Sequence, residues 1–408
     1  MNPQDPLATR FSDVRSRTIT LAEAFSDEDL GVQAMPDASP GKWHLGHTTW
    51  FFEAVVLAPH APRFTPFDAR FSRLFNSYYE SLGPRHPRPR RGLLTRPALA
   101  EVLRWRRETD DALLSFLATA DGATAARAAP LVELGLHHEQ QHQELLITDL
   151  LHAFAQNPIE PVMFGAGSAL ARVFSPAPAP APGAAWVGVE GGVVAIGHGG
   201  GAFAFDNEAP RHRVHLEPFE LASRLVTNGQ YAAFVEDGGY REPRWWHSDG
   251  WAQVQAGGWA APPMWREDAE FGPAGLAVRD ARAPVRHLSF YEAAAFAAWA
   301  GARLPTEFEW EAAVAARPEA FADAFGHVWQ WTASAYGAYP GFRTFEGAAA
   351  EYNDKFMVGQ QVLRGSSLAT SPGHARTSYR NFFPPAARWQ FTGLRLARDL
   401  HPTPERQR

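Results

Sequence analysis

Histidines spaced like metal ligands carry the strongest chemical signal in the chain. The stretch from Leu136 to Leu146 reads LHHEQQHQELL, and on a helix His138 and His142, four residues apart, sit one turn apart on one face. Two imidazoles so placed can grip one metal ion. The run His138-Glu139-Gln140-Gln141-His142 also has the His-Glu-x-x-His form of a zinc metalloprotease. The plain alternative is a histidine pair on a solvated helix face. A catalytic metal site needs a third protein ligand and keeps positions open. Trp43 to Trp50, WHLGHTTW, offers His44 and His47 three apart, and either could face a bundle interior. Glu139 and Glu144 are imperfect additional donors.

The elements that must position these rings read as helices. Pro6 to Ala24, Lys42 to Leu57, Ala98 to Ala118 and Ala129 to Ala155 carry apolar residues at near-helical spacing, which predicts a four-helix bundle. Ser39-Pro40 is a plausible start for the second helix, and Thr95-Arg96-Pro97, with threonine as N-cap, for the third. The connection from Pro62 to Leu94 is rich in Arg, Pro and aromatics, and its length marks it as functional. Ser175 to Gly183, SPAPAPAPG, reads as an extended spacer at a domain boundary. Beyond it, glycines and short apolar runs suggest short strands and loops. Two helices stand out, Ser289 to Ala300 and Thr306 to Ala316, each with the Ser/Thr-x-x-Glu capping-box spacing. The expected organisation is α+β: a helical domain over 1–165, a linker over 166–184 and a mixed domain over 185–402.

Composition agrees with an ordinary globular chain. Of 408 residues 45% are hydrophobic and 20% charged, and 38 basic against 44 acidic side chains leave a formal charge of −6, which disfavours nucleic-acid binding. No apolar run reaches the roughly 18 residues of a membrane helix, and the N-terminus lacks a signal-peptide core, so cytoplasm is the expected location. The chain has no cysteine, which removes disulfides, Cys-ligated metals and cysteine nucleophiles.

The helical half, with a histidine on an early helix and a His-x-x-x-His pair on a later one, resembles DinB-type metal-binding bundles. The second half is similar to the sulfatase-modifying-factor, or formylglycine-generating-enzyme-like, domain. The match runs through Arg303 to Glu311 (RLPTEFEWE), Gly326 to Thr332 (GHVWQWT), Leu363 to Ser367 (LRGSS) and Gly393 to Arg398 (GLRLAR). That resemblance implies a C-type-lectin-like fold, with most of the Trp and Gly residues serving as scaffold. Together the halves resemble the ergothioneine-biosynthesis sulfoxide synthases, non-heme iron enzymes that use O2 to join a thiol sulfur to C2 of the hercynine imidazole. Formylglycine generation is disfavoured, because it depends on active-site cysteines.

This resemblance implies Fe(II) held by His47, His138 and His142, with His44 a neighbour and O2 a co-substrate. Three imidazoles leave about three positions of an octahedral ion open, which suits oxygen activation; zinc on three histidines is the physical competitor. The resemblance also places Gln141 against the hercynine imidazole. Phe75 to Glu80 (FNSYYE) resembles the loop supplying active-site tyrosines in the cysteine-using branch, making Tyr78 or Tyr79 the proton donor, with Tyr79 slightly favoured. Asn381 and Phe382, in RNFFPP, would meet the hercynine carboxylate and trimethylammonium. Phe383 stands where the γ-glutamylcysteine branch has an acid, so cysteine is the expected sulfur donor. Phe382, Phe383, Trp389 and the Trp329/Trp331 pair offer ring faces for the quaternary ammonium. Arg88 and Arg91, in HPRPRRG, are the candidates for binding a substrate carboxylate. Selenoneine synthases, which join hercynine to a selenosugar, share the same plan. A non-catalytic metal- and ligand-binding module and a thiol-dependent zinc transferase are further alternatives. The expected partners are small molecules, neither nucleic acid nor membrane, and oligomeric state is left open.

Overall fold

The longest helix begins at an aspartate. In the computed structural model, which describes residues 6–165, 167–174 and 185–400 with backbone alone at 348 and 349, the Asp121 carboxylate accepts from the Ala123 and Thr124 N–H groups at 3.0 and 2.9 Å. It thereby caps the helix Gly122–Ala155. The sequence reading starts this helix at Ala129, beside Pro130; the cap lies further upstream, and Pro130 is carried inside the helix. The other three long helices are Pro6–Ala22 (α1), Gly41–Phe51 (α2) and Leu99–Thr119 (α3), so Gly122–Ala155 is α4. α2 continues through a π-helical segment, Phe52–Leu57, into Ala58–His60.

α1 and α2 both pack on α4, and α3 packs on α1 and α2. Phe11, Phe52, Val56, Leu113, Val132 and Leu136 are buried together where these helices meet. Burying one such side chain contributes about 1.5–3 kcal/mol. Gly46 is required on α2, since a Cβ there would stand 2.2 Å from the Phe75 ring. Its absence lets the loop after α2 close onto the helix beside His47.

Two sequence-expected caps are corrected. Ser39 does not cap α2, whose N-cap is Pro40; the Ser39 hydroxyl instead accepts from Arg91 at 2.8 Å. Thr95 does not cap α3, whose N-cap is Ala98 without a side-chain bond.

The chain divides into two compact units. The helical one runs to Leu170 and includes two later segments, Thr344–Tyr352 and Thr370–His374; the other holds the remainder. The expected linker mostly lies outside the described residues, Ser175 to Gly183 entirely so, and its described part includes a short helix, Ala169–Val173.

The second unit is built of short strands. β1 (Trp186–Val189) pairs antiparallel with β4 (Phe219–Ala222), which also pairs with β12 (Ala397–Asp399). β2 (Gly192–Ile196) and β3 (His212–Leu216) form a hairpin. β5 (Trp265–Arg266), β6 (Ala269–Gly272) and β7 (Gly275–Val278) form a meander. β8 (Trp329–Ala335) and β9 (Gln361–Gly365) are the centre of a four-stranded sheet with β10 (Asn381–Phe383) and β11 (Thr392–Gly393) at its edges.

Among the described residues the longer helices here are α5 (Asn228–Glu236), α6 (Ser248–Gly257), α7 (Phe290–Trp299) and α8 (Glu307–Ala316). Both expected capping boxes are present, Ser289 with Glu292 and Thr306 with Glu309. The motif residues serve mainly as scaffold. Trp310 donates to Gln330 and Trp331 to the Leu288 carbonyl, both at 2.7 Å. Glu307 is buried between Arg364 and Arg380. With the helical bundle, this unit makes the chain α+β.

Candidate metal centre

Three of the histidines converge. One ring nitrogen from each of His47, His138 and His142 lies within 4.8 Å of the others. α2 supplies the first and α4 the other two, one turn apart on one face. His47 and His138 are buried, and His142 is half-buried. The His47 Nδ1–H donates to the Phe75 carbonyl at 2.6 Å, which turns Nε2 toward His138 Nε2, 3.1 Å away. Trp43 and Trp50 both stack on His47, at 4.6 and 5.5 Å between ring centres. Phe51 covers His138 at 4.7 Å.

Burial pushes the His47 imidazole well below its ordinary range, and His138 adds to the effect. Burial holds His138 down at about 3. Desolvation, His138 and His47 push His142 well below as well. All three rings are therefore neutral near pH 7, the form that offers a lone pair to a metal. Two nitrogens about 2.1 Å from one ion, at right angles, stand about 3.0 Å apart, close to the His47–His138 separation. The residues fit a three-histidine metal site. His44 is outside the trio; its Nδ1 lies 2.8 Å from His142 Nδ1.

Glu139 does not face this site. Its fully buried carboxylate accepts from Arg15 at 2.8 Å, Thr18 at 2.5 Å and Arg106. One residue on a helix is about 100° of rotation, so Glu139 looks toward α1 while His138 looks toward α2. Gln143, one turn on, follows Glu139 and donates to Thr18 and to the Val14 carbonyl. The metalloprotease arrangement, with this glutamate as general base, is absent. Glu144 accepts from Thr370 at 2.8 Å.

The tyrosines of the connecting loop differ from each other. Tyr79 is fully buried against Trp50 and Phe51. Burial, with Tyr78 and Tyr352 nearby, pushes its phenol well above the ordinary range. Tyr78 stacks on it at 4.7 Å and is half-buried.

Arg91 and Arg88 separate in the same way. Arg91 is buried, its guanidinium 3.3 Å from the Trp43 ring centre, donating to the Ser39 and Ser77 hydroxyls. Burial and Arg88 work against its positive charge, and no carboxylate among the described residues lies within ion-pair distance of it. Arg88 is exposed.

Gln141 meets a residue the sequence reading missed. The Tyr352 hydroxyl donates to Gln141 Oε1 at 2.5 Å, and the Tyr352 ring lies 5.8 Å from His138. Tyr352 sits far along the chain in Thr344–Tyr352, with no local pattern to flag it.

In the second unit, Asn381, Phe382 and Phe383 form β10. Phe382 stacks on Tyr336 at 4.2 Å and lies 5.7 Å from Phe356. The Asn381 side-chain oxygen accepts from the Phe382 N–H. Phe383 packs edge-on against Trp389 at 5.8 Å. Trp329 and Trp331 are fully buried scaffold, which leaves their faces closed to a ligand. No helix among the described residues is long and apolar enough to cross a membrane.

Residues 10–146 match the DinB superfamily, and residues 171–321 and 315–400 match the sulfatase-modifying factor enzyme 1-like domain. The hercynine oxygenase of Mycolicibacterium smegmatis is 32% identical over 98% of this chain and 100% of its own length. That of Mycobacterium tuberculosis is likewise 32% identical, over 98% of this chain and 100% of its own. The formylglycine-generating enzyme of Streptomyces coelicolor is 31% identical over 42% of this chain and 64% of its own length. Both halves and their order are thus accounted for by one group of proteins, and the chain belongs to the hercynine oxygenase family, the ergothioneine-type sulfoxide synthases.

Proposed function

We propose that this protein is a non-heme Fe(II), O2-dependent enzyme that joins the sulfur of a small thiol, cysteine, to C2 of the hercynine imidazole. The observation that carries the reading is the convergence of His47, His138 and His142, three neutral imidazoles without a carboxylate among them, in a chain of this family. Iron(II) bound there would supply the electron transfer to O2 that the coupling needs.

The remaining steps fall to the protein's own groups. Gln141, with its carbonyl engaged by Tyr352, is oriented to offer its amide N–H to an imidazole nitrogen. Holding two substrates in register removes up to about 7–11 kcal/mol of barrier in well-oriented model reactions. Tyr79, fully buried and with its phenol pushed well above the ordinary range by that burial, keeps its proton, which favours it over the half-buried Tyr78 as the proton donor. Arg91 is a buried cation in search of an anion, which suits a substrate carboxylate; Arg88, exposed, is a weaker candidate. The Phe382 face, backed by Tyr336, suits a trimethylammonium group, and Asn381 the carboxylate beside it. Phe383 offers no charge to a γ-glutamyl amine, which favours cysteine.

The test is aerobic incubation of Fe(II)-loaded protein with hercynine and cysteine, γ-glutamylcysteine or a selenosugar, reading O2 uptake and product mass. Uptake with a hercynine–cysteine adduct supports the reading. A carbon–selenium product would make the protein a selenoneine synthase. Hercynine binding without uptake for any donor would leave a non-catalytic module.

A further inference from the structure

Beyond the trio lies an ordered pair of polar groups with no role in the reading above. His44, buried on α2 one turn before His47, places Nδ1 2.8 Å from His142 Nδ1 and Nε2 3.2 Å from Asp149 Oδ2. Asp149 is buried on α4, seven residues after His142 and so on the same face two turns on. The Ser39 N–H, just before α2, donates to the same Asp149 oxygen at 2.8 Å and fixes the carboxylate.

A carboxylate only accepts, so the His44 Nε2–H donates to Asp149. A ring that donates from Nε2 in its neutral form accepts at Nδ1, so the donor there is the His142 Nδ1–H. The lone pair of His142 is then on Nε2. His47 reaches the same tautomer by another route, its Nδ1–H held by the Phe75 carbonyl. His138 has no such support among the described residues, where its Nδ1 is buried without a partner.

We propose that His44 and Asp149 are positioning residues for the metal centre: a carboxylate–imidazole relay that holds His142 in the Nε2-ligating tautomer and raises its donor strength. The proposal rests on the three-histidine reading of the site. Outer partners of this kind typically change metal affinity by about 10–100-fold.

The experiment measures Co(II) affinity by chelator competition and the Co(II) absorption spectrum in full-length protein, for wild type, Asp149→Asn, His44→Phe and the double variant. Asp149→Asn keeps an oxygen for Ser39 and His44 and removes only the charge, so a purely structural role leaves affinity unchanged. The relay instead predicts about tenfold weaker Co(II) binding in Asp149→Asn, and up to about 100-fold in His44→Phe. It also predicts that the double variant is no weaker than His44→Phe alone, with shifted ligand-field bands in each. Affinities within twofold of wild type, or effects that add independently, overturn the relay while leaving the metal site standing. Wild-type protein that binds Co(II) but, loaded with Fe(II), couples no donor to hercynine overturns the reaction and leaves the relay standing.

Discussion

Replacing Glu139 by Gln separates a structural carboxylate from a catalytic one. Burial alone would raise this carboxyl; Arg106 and Arg15 outweigh it and hold it down at about 2, against an ordinary 4.5. Removing one partner of a buried ion pair costs about 3–5 kcal/mol. Arg15 would retain Asp110 at 2.7 Å, whereas Arg106, which also donates to Thr48 and a backbone carbonyl, would lose the carboxylate charge it pairs with and keep neutral acceptors there. Glu139→Gln should therefore destabilise the helical unit by about 3 kcal/mol. Urea unfolding of metal-free protein, followed by circular dichroism and tryptophan fluorescence, reads the change. With two units, two transitions are expected, and a slope of about 1–3 kcal/mol per molar moves the helical midpoint by roughly 1–3 M.

The pH dependence of this difference has a definite sign. Since the folded pKa is depressed, the stabilisation is complete above the unfolded value of 4.5 and fades as pH falls toward about 2. The gap between variant and wild type should narrow over that window. A midpoint shift worth less than about 1 kcal/mol would refute the reasoning. So would unchanged stability accompanied by abolished turnover, which is the signature of a general base.

Other substitutions address the site directly. His138→Ala should remove iron and turnover together while leaving the circular dichroism spectrum intact; iron-dependent turnover in that variant would count against its role as ligand. Tyr79→Phe should lower kcat by about 10²–10⁴-fold with Fe(II) affinity preserved, and Tyr78→Phe should do much less; steady-state O2 uptake compares the two. Phe383→Asp should raise kcat/KM for γ-glutamylcysteine relative to cysteine, and an unchanged ratio would reduce Phe383 to packing against Trp389.

What could be read in advance depended on how local the signal was. The i, i+4 pair His138 and His142 is a property of one helix, and the Ser289/Glu292 and Thr306/Glu309 caps are four-residue patterns; all appear as read. α5 carries the same kind of signal, Thr227 with Gln230, but the glycine-rich texture around it hid the helix. Direction around α4 was equally available: Glu139 is one residue from His138, and 100° of rotation turns it away from the three histidines. His47 could be told from His44 only by family likeness, because two histidines three apart share a face. Ser39 looked like a cap because its type suits one, yet Arg91, 52 positions on, claims its hydroxyl. Tyr352 and Asp149 depended on chain segments meeting across long separations, which no local period encodes.

The inclusion of Thr344–Tyr352 and Thr370–His374 in the helical unit has a consequence for dissection. His137, Gln141, Gln143 and Glu144 of α4 take partners from His374, Tyr352, Ser371 and Thr370. A gene cut at the proline-rich boundary would produce a bundle with its histidines intact and one flank of α4 stripped bare. The bundle's own framework is thus encoded on both sides of that cut.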